Sequence, residues 1–213
     1  MSRRATDSRG ERALAVFLDQ YFYSKEQANR LLAYAKRIYE KQLQIRGIDV
    51  LLEDKRKIDE KAQLYYINRP VDSFAFEIDY YDEEKESVVD GWFVSQSNET
   101  DEYLLLWIEN ARTTKINRLV SEDFEVVKAD LIEKKHLKKY LEGIGITDRG
   151  LKKKAIEMRD SDVTRVDFDE NCHLTYSTSG FSERPINLVI RKNILDNLSL
   201  GRFVITKEEV KAI

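Results

Sequence analysis

The feature that most constrains the fold of this chain is a change of hydrophobic period near Gly47. Across residues 11–44, apolar side chains recur every three or four positions, which predicts helix with a break near Ser24. Across residues 57–67, apolar and polar side chains alternate, which predicts a strand with one apolar face. A leading helix followed by strands predicts an α/β fold.

The rest of the chain divides into a strand-rich part and a part with long helices. Strands are predicted at residues 73–81, 91–95, 102–108, 164–168, 173–178 and 186–190. Helices are predicted at residues 121–141, 148–159 and 194–198. We therefore expect an α/β core in residues 1–118 and a mainly helical, basic α+β extension in residues 119–213. Since no linker separates the two, a single domain remains an alternative.

Composition excludes several classes of protein. The 213 residues carry a net charge of −3, with one cysteine and two histidines. One cysteine cannot form an intrachain disulfide, and two histidines are too few for a His-rich metal site. No stretch approaches the roughly 20 apolar residues that span a bilayer, and the first residues do not resemble a signal peptide. The sequence thus predicts a cytoplasmic location and no membrane partner.

The strongest candidates for catalytic and metal-binding residues are two aspartates and a lysine. Asp59, Lys61 and Gln63 alternate along the predicted strand and so share one face, with about 7 Å between successive members. A hairpin that turns near residues 54–56 would bring Asp49 alongside them. Two neighbouring carboxylates with little water between them need a cation to stay ionised, and Mg²⁺ or Mn²⁺ suits oxygen ligands. The lysine could then orient an attacking water or neutralise charge on a phosphate.

This arrangement resembles the PD-(D/E)XK nuclease superfamily. The resemblance covers residues 11–108: Asp49 matches the first acid, Asp59 the second and Lys61 the lysine, with Ile48 in place of the common proline. The acid-x-lysine pattern also occurs elsewhere in the chain, and only here does it lie in an alternating strand behind a long amphipathic helix. The resemblance implies a restriction-endonuclease-like mixed β-sheet flanked by helices. It also implies a Mg²⁺-dependent phosphodiesterase acting on DNA, with Asp49 and Asp59 as metal ligands.

Further site residues are less specific in sequence. Many members of the superfamily add an acid or glutamine from the leading helix, for which Glu11, Asp19 and Gln42 are candidates that spacing cannot separate. Gln63 matches a polar residue that some members carry beyond the lysine. Glu77 is either an additional metal ligand or a solvent-facing charge at the edge of a sheet.

A basic segment follows in the second half of the chain, in two predicted helices joined by a glycine-containing turn. Such a pair can dock on phosphates, although a solvated charged surface is the common alternative. The lysines predicted to bind nucleic acid are Lys134, Lys135, Lys138, Lys139, Lys152, Lys153 and Lys154.

The function that the sequence favours is a metal-dependent endonuclease that hydrolyses phosphodiester bonds in DNA. One alternative is a catalytically inactive nuclease-fold module that binds nucleic acid or protein. Another is an interaction protein with no nucleic-acid role. The sequence leaves open DNA versus RNA, the strandedness of the substrate and the oligomeric state, a homodimer included.

Overall fold

A computed structural model describes residues 3–178 and 182–213 of the chain. The chain forms two compact units: the first comprises residues up to 71, 100–134 and 199–213, and the second comprises residues 72–99 and 135–198. The chain passes between these units after residues 71, 99, 134 and 198. The sequence suggested either one boundary after residue 118 or a single domain. The units are discontinuous because strands that are far apart in sequence pair in one sheet.

Helices and runs of strands are interspersed along the described residues. The α-helices are α1 (Arg3–Tyr21), α2 (Glu26–Asn29), α3 (Lys41–Ile45), α4 (Lys134–Gly143), α5 (Asp148–Ser161) and α6 (Lys192–Leu198). The strands are β1 (Lys36–Arg37), β2 (Val50–Leu51), β3 (Lys57–Ala62), β4 (Ser73–Asp82), β5 (Ser87–Asp90), β6 (Glu102–Ala111), β7 (Phe124–Glu133), β8 (Arg165–Asp167), β9 (Cys172–Tyr176), β10 (Ile186–Arg191), β11 (Ser199–Ile205) and β12 (Val210–Ala212). Short 3₁₀ helices lie at Leu64–Tyr66, Ile116–Arg118 and Ser121–Asp123.

The first unit is built on a mixed sheet in the order β1-β2-β3-β6-β7-β11-β12. Its strand pairs are antiparallel except β3 and β6, which are parallel. Phe17 and Leu18 of α1 are buried in one core with Ile58 of β3 and Leu104 of β6. Complete burial of each such side chain contributes about 1.5–3 kcal/mol. Because Ile58 faces this core, the alternation of β3 turns Asp59 to the opposite face of the sheet.

The second unit is built on an antiparallel sheet in the order β5-β4-β10-β9-β8. Leu151, Ala155 and Met158 of α5 recur at helical spacing and are buried. Arg159 at the end of α5 forms an ion pair with Asp79 of β4, and both side chains are largely buried. The helix is therefore attached to its sheet by apolar packing and by a charged contact.

The predicted helix over residues 24–44 is wrong for most of its length. Only α2 and α3 are helical in this region, and β1 lies between them, paired with β2. Leu32 and Ile38 are buried, as their spacing indicated, but the N–H of Ile38 donates to the carbonyl of Asp49 at 2.8 Å. Apolar spacing indicates burial, and it cannot by itself separate a helix from turns that bury the same side chains.

Two other element predictions are wrong. The predicted helix over residues 121–141 is a 3₁₀ turn, then β7, and only from Lys134 onward α4. β7 lies between β6 and β11 and is buried along most of its length, so its apolar residues carry no clear period of two. The strand predicted at residues 91–95 is a turn, which follows β5.

The prediction of an α/β fold is confirmed at the level of a mixed sheet with helices. The strands predicted at 102–108 and 186–190 and the helix at 148–159 correspond to β6, β10 and α5. Residues beyond 118 form strands β7–β12 as well as helices α4–α6. No helix in the described part of the chain combines the length and apolar character needed to cross a membrane.

Candidate active site

Asp49 is tied to β3 through both its backbone and its side chain. Gly47, just after α3, has a φ of 72°, a left-handed conformation that favours glycine and redirects the chain toward β2. The N–H of Asp49 donates to the carbonyl of Ile58 at 2.9 Å. Oδ2 of Asp49 accepts a hydrogen bond from the backbone N–H of Glu60, also at 2.9 Å. These contacts hold Asp49 beside the middle of β3.

Asp59 and Lys61 lie on one face of β3 and form an ion pair. Nζ of Lys61 is 2.7 Å from Oδ1 of Asp59, and the two side chains are 26% and 1% exposed. In the parallel pairing with β6, Asp59 lies opposite Tyr103 and Lys61 opposite Leu105, both of which are fully buried. The ion pair therefore sits in a poorly solvated part of the sheet, where charges interact strongly.

Asp49 and the ion pair are close enough to perturb each other. Burial and then the negative charge of Asp59 raise the pKa of Asp49 to about 8, against the opposing effects of Lys61 and the Glu60 N–H. Burial lowers the pKa of Lys61, but the charges of Asp59 and Asp49 outweigh burial and raise that pKa above its usual value. We refer to these three residues as the Asp49–Asp59–Lys61 cluster.

The leading-helix candidates differ in what they contact. The charge of Glu11 on α1 contributes to the raised pKa of Lys61, so this carboxylate acts on the cluster. The single Nε–H of Arg37 is instead shared between the two carboxylate oxygens of Asp19, each 2.8 Å from Nε, so Asp19 belongs to a separate charged network. Gln42 lies exposed on α3. Of the three candidates, Glu11 is the one whose charge acts on a member of the cluster.

Gln63 and Glu77 occupy different positions in the fold. β3 ends at Ala62, and Gln63, with φ −82° and ψ 59°, has left the extended conformation. Its N–H still donates to the carbonyl of Leu106 at 3.0 Å, which keeps it attached to the sheet just beyond Lys61. Strand alternation therefore does not determine the direction of its side chain. Glu77 lies half-buried on β4, in the sheet of the second unit.

Several lysines of the predicted basic surface have partners within the chain. Nζ of Lys138 donates to the carbonyl of Phe93 and to Asp148, and it lies 3.5 Å from the centroid of the Phe93 ring. Nζ of Lys152 is 2.6 Å from Oδ2 of Asp90. These contacts reduce the positive charge that the segment offers to phosphates.

The other lysines of the segment range from half-buried to exposed. The side chain of Lys153 is 80% exposed, and its Nζ lies 4.0 Å from Oε1 of Glu157. Nζ of Lys154 lies 2.6 Å from Oε2 of the same glutamate. Lys135 and Lys139 are exposed on α4, and Lys134 is half-buried at its first position. The segment therefore mixes structural lysines with exposed ones.

A buried charged network on the other face of β3 was not predicted from the sequence. Nη1 and Nη2 of Arg37 donate to the two carboxylate oxygens of Glu60 at 2.8 and 2.9 Å, and Tyr23 Oη donates to Glu60 Oε1 at 2.6 Å. One signal was present: Glu60 shares the apolar face of β3 with Ile58, and a carboxylate there requires a cation. The cation could not be named because Arg37 lies in the region wrongly predicted as helix.

The donor atoms of the cluster fit a hard divalent cation. Mg²⁺ is commonly bound through one or two carboxylates, with waters and substrate phosphate oxygens as the remaining ligands. Asp49 and Asp59 supply two carboxylates. Burial and the repulsion between them disfavour their charged forms, and a bound cation would offset both effects. Over residues 3–178 and 182–213, no group of three or more His, Cys, Asp or Glu side chains is arranged to hold a metal ion. Any ion here would therefore find no third carboxylate, imidazole or thiolate ligand among the described residues.

Comparison of this chain with protein-family models, with curated proteins and with solved structures gave no match. A functional assignment therefore depends on the geometry and electrostatics of the chain itself.

Proposed function

We propose that this chain is a divalent-metal-dependent nuclease that hydrolyses phosphodiester bonds in DNA at the Asp49–Asp59–Lys61 cluster. The observation that carries the proposal is geometric: the Glu60 N–H holds the Asp49 carboxylate at 2.9 Å, beside the Asp59–Lys61 ion pair. Burial and the charge of Asp59 accordingly raise the pKa of Asp49 to about 8. A buried Asp59 and a half-buried Asp49 that share a single neighbouring ammonium are costly to maintain, and such perturbation is typical of functional sites.

Asp49 and Asp59 would hold Mg²⁺ or Mn²⁺. When bound, such an ion lowers the pKa of a water molecule attached to it and neutralises charge on a phosphate. Lys61 would donate hydrogen bonds to the attacking water or to the phosphate, stabilising the charge that develops there. Glu11 would help to keep Lys61 protonated. A contact between Gln63 and the substrate stays a prediction.

The order of elements is consistent with the restriction-endonuclease-like fold that the motif suggests. A leading helix packs behind the sheet, the two acids lie on an antiparallel hairpin, and the strand with Asp59 and Lys61 pairs in parallel with the next strand of that sheet. Membership of the PD-(D/E)XK superfamily, a cytoplasmic location and a homodimer stay predictions.

Asp59→Asn tests the proposal directly. The variant keeps the size of the side chain and removes its charge, so we expect cleavage of DNA with Mg²⁺ or Mn²⁺ to fall at least 100-fold. DNA binding in the presence of chelator should persist. Glu53→Gln is the matched control, because Glu53 is an exposed carboxylate in the same hairpin; it should cleave like the parent chain.

Two results would contradict the proposal. One is cleavage by the Asp59→Asn variant at the rate of the parent chain. The other is the absence of cleavage by the parent on linear, circular, branched and single-stranded substrates. If the parent still bound DNA with a steep dependence on salt, a binding module without catalytic activity would be the better description.

A further inference from the structure

Arg37 connects the two strands on which the candidate metal ligands are positioned. Its backbone belongs to β1, where it pairs with Val50, and the next residue, Ile38, donates its N–H to the carbonyl of Asp49 at 2.8 Å. Its side chain reaches across to β3 and holds both carboxylate oxygens of Glu60. Arg37 thus contacts the segment around Asp49 through backbone pairing of its strand. It contacts the segment around Asp59 through its guanidinium.

Glu60 is the point at which this contact can affect the cluster. It lies between Asp59 and Lys61, and its backbone N–H donates to Oδ2 of Asp49 at 2.9 Å. With its side chain fixed by Arg37 and by Tyr23 Oη at 2.6 Å, the peptide of Glu60 has little freedom to move relative to Asp49.

The network around Arg37 is buried and charged, so its geometry is strict. The side chains of Arg37 and Glu60 are each 10% exposed, and Arg37 also binds Asp19 and the carbonyl of Ala15 on α1. A guanidinium offers five donors in a rigid plane, which a flexible ammonium cannot reproduce. Replacement by lysine therefore retains the charge and removes the two-pronged contact with Glu60.

We infer that Arg37 is a positioning residue of the Asp49–Asp59–Lys61 cluster: by holding the Glu60 carboxylate and the strand beside Asp49, it sets how closely the carboxylates of Asp49 and Asp59 approach each other. Arg37 contacts none of the proposed reacting groups and acts through the Glu60 peptide. The inference deepens the proposed function and rests on it for the identity of the ion.

Arg37→Lys in the full chain is the primary test, with Mn²⁺ as the probe. We expect the Kd for Mn²⁺, measured by calorimetry without nucleic acid, to rise roughly 10-fold or more, as for residues that orient metal ligands. DNA affinity in chelator should stay within about twofold of the parent value, because Arg37 is buried and cannot meet phosphates. Tyr23→Phe, which removes one hydrogen bond to Glu60 and leaves no unpaired charge, should raise the Kd about threefold.

Hydrogen exchange in the metal-free protein distinguishes a role of Arg37 in positioning the cluster from a general loss of stability. In Arg37→Lys, hydrogen exchange at the Glu60 amide should accelerate, while amides of β7 keep the parent rate. Arg56→Lys is the matched control, because Arg56 binds another buried carboxylate of this unit, Glu102, at 2.6 Å and the carbonyl of Leu31 at 2.7 Å. It should lower stability without changing the Kd for Mn²⁺ or exchange at Glu60.

The inference is overturned if Arg37→Lys and Tyr23→Phe bind Mn²⁺ like the parent, or if Arg56→Lys weakens binding equally. If Arg37→Lys does not fold, Tyr23→Phe decides the question by the same two measurements. A parent chain that binds no Mn²⁺ would overturn the proposed function and the metal-positioning role together. Unchanged exchange at Glu60, with Mn²⁺ binding intact in the parent, would overturn this inference alone.

Discussion

Nζ of Lys61 lies 2.7 Å from Oδ1 of Asp59, on one face of one strand. A single ammonium cannot balance both Asp59 and Asp49. Burial and the charge of Asp59 accordingly raise the pKa of Asp49 to about 8. The metal-free protein therefore either holds a proton on Asp49 or carries an unbalanced buried charge.

Asp49→Asn should stabilise the metal-free protein at high pH. The folded-state pKa of Asp49 is raised above its unfolded value of about 3.9, so its contribution to stability is complete below pH ~4 and disappears as the pH rises through about 8. Asparagine keeps the acceptor for the Glu60 N–H and removes the charge. We expect a gain of several kcal/mol at pH 9, since each unit of pKa shift corresponds to about 1.4 kcal/mol, and little change at pH 4. Thermal melts in chelator measure both.

The exposed Glu53 again provides the control for this prediction. Glu53→Gln should leave the pH dependence of the melting temperature as it is in the parent chain. A difference between Asp49→Asn and the parent that is the same at pH 4 and pH 9 would mean that Asp49 does not titrate as its surroundings indicate.

Affinity for Mn²⁺ should increase with pH up to about 8. Below the pKa of Asp49, the ion must displace a proton from this carboxylate, which weakens binding by up to about tenfold per pH unit. Calorimetry in two buffers of different ionisation enthalpy should register close to one proton released near pH 6.5 and fewer near pH 9. Equal proton release at both pH values would contradict the assignment of Asp49 as a ligand.

Lys61→Gln should separate metal binding from the chemical step. Removing the ammonium leaves both carboxylates, so the variant should bind Mn²⁺ at least as tightly as the parent at pH 8. The cleavage rate should fall about 100-fold or more, because the variant lacks a charged donor to the reacting groups. Single-turnover cleavage at saturating Mn²⁺, beside calorimetry, measures the two effects. Retention of the parental rate would exclude a catalytic role for Lys61.

Highly exposed lysines of the basic segment should contribute to DNA affinity more than lysines held in short ion pairs. Lys153 is 80% exposed and Lys139 is exposed on α4, whereas Lys152 lies 2.6 Å from Asp90. Lys139→Gln with Lys153→Gln should weaken binding and reduce the salt slope by about 0.9 for each phosphate that is no longer neutralised. Lys152→Gln should change that slope less, as fluorescence anisotropy over a range of salt concentrations can determine.

Lys138→Met is expected to affect stability instead of binding. Nζ of Lys138 contacts the carbonyl and ring of Phe93 as well as Asp148. Its removal should lower the unfolding free energy by about 1–2 kcal/mol, measured by urea denaturation. A large change in the salt slope of DNA binding, with stability intact, would place Lys138 in the binding surface.

Local patterns predicted those elements whose periodicity is unambiguous. The apolar stripe of α1 and the two-residue alternation of β3 each have one apolar and one polar face, and both elements are present. The pattern failed at β7, which is covered by strands on both edges and largely buried, and at β1, whose two residues acquire strand geometry from pairing with β2. A local window of sequence carries no information about which distant segment a strand will pair with.

The sequence by itself determined that Asp59 and Lys61 share a face, because side chains of an extended strand alternate with a period of two whatever surrounds them. It likewise determined that Glu60 points the other way, toward the apolar side of the strand. Only the tertiary structure decided that Asp49 accepts the Glu60 N–H, that Arg37 holds the Glu60 side chain, and that Asp19 joins Arg37 and not the cluster. These three contacts join residues 11 to 23 positions apart in sequence. Their partners are set by chain packing in three dimensions, which is why no spacing rule could supply them.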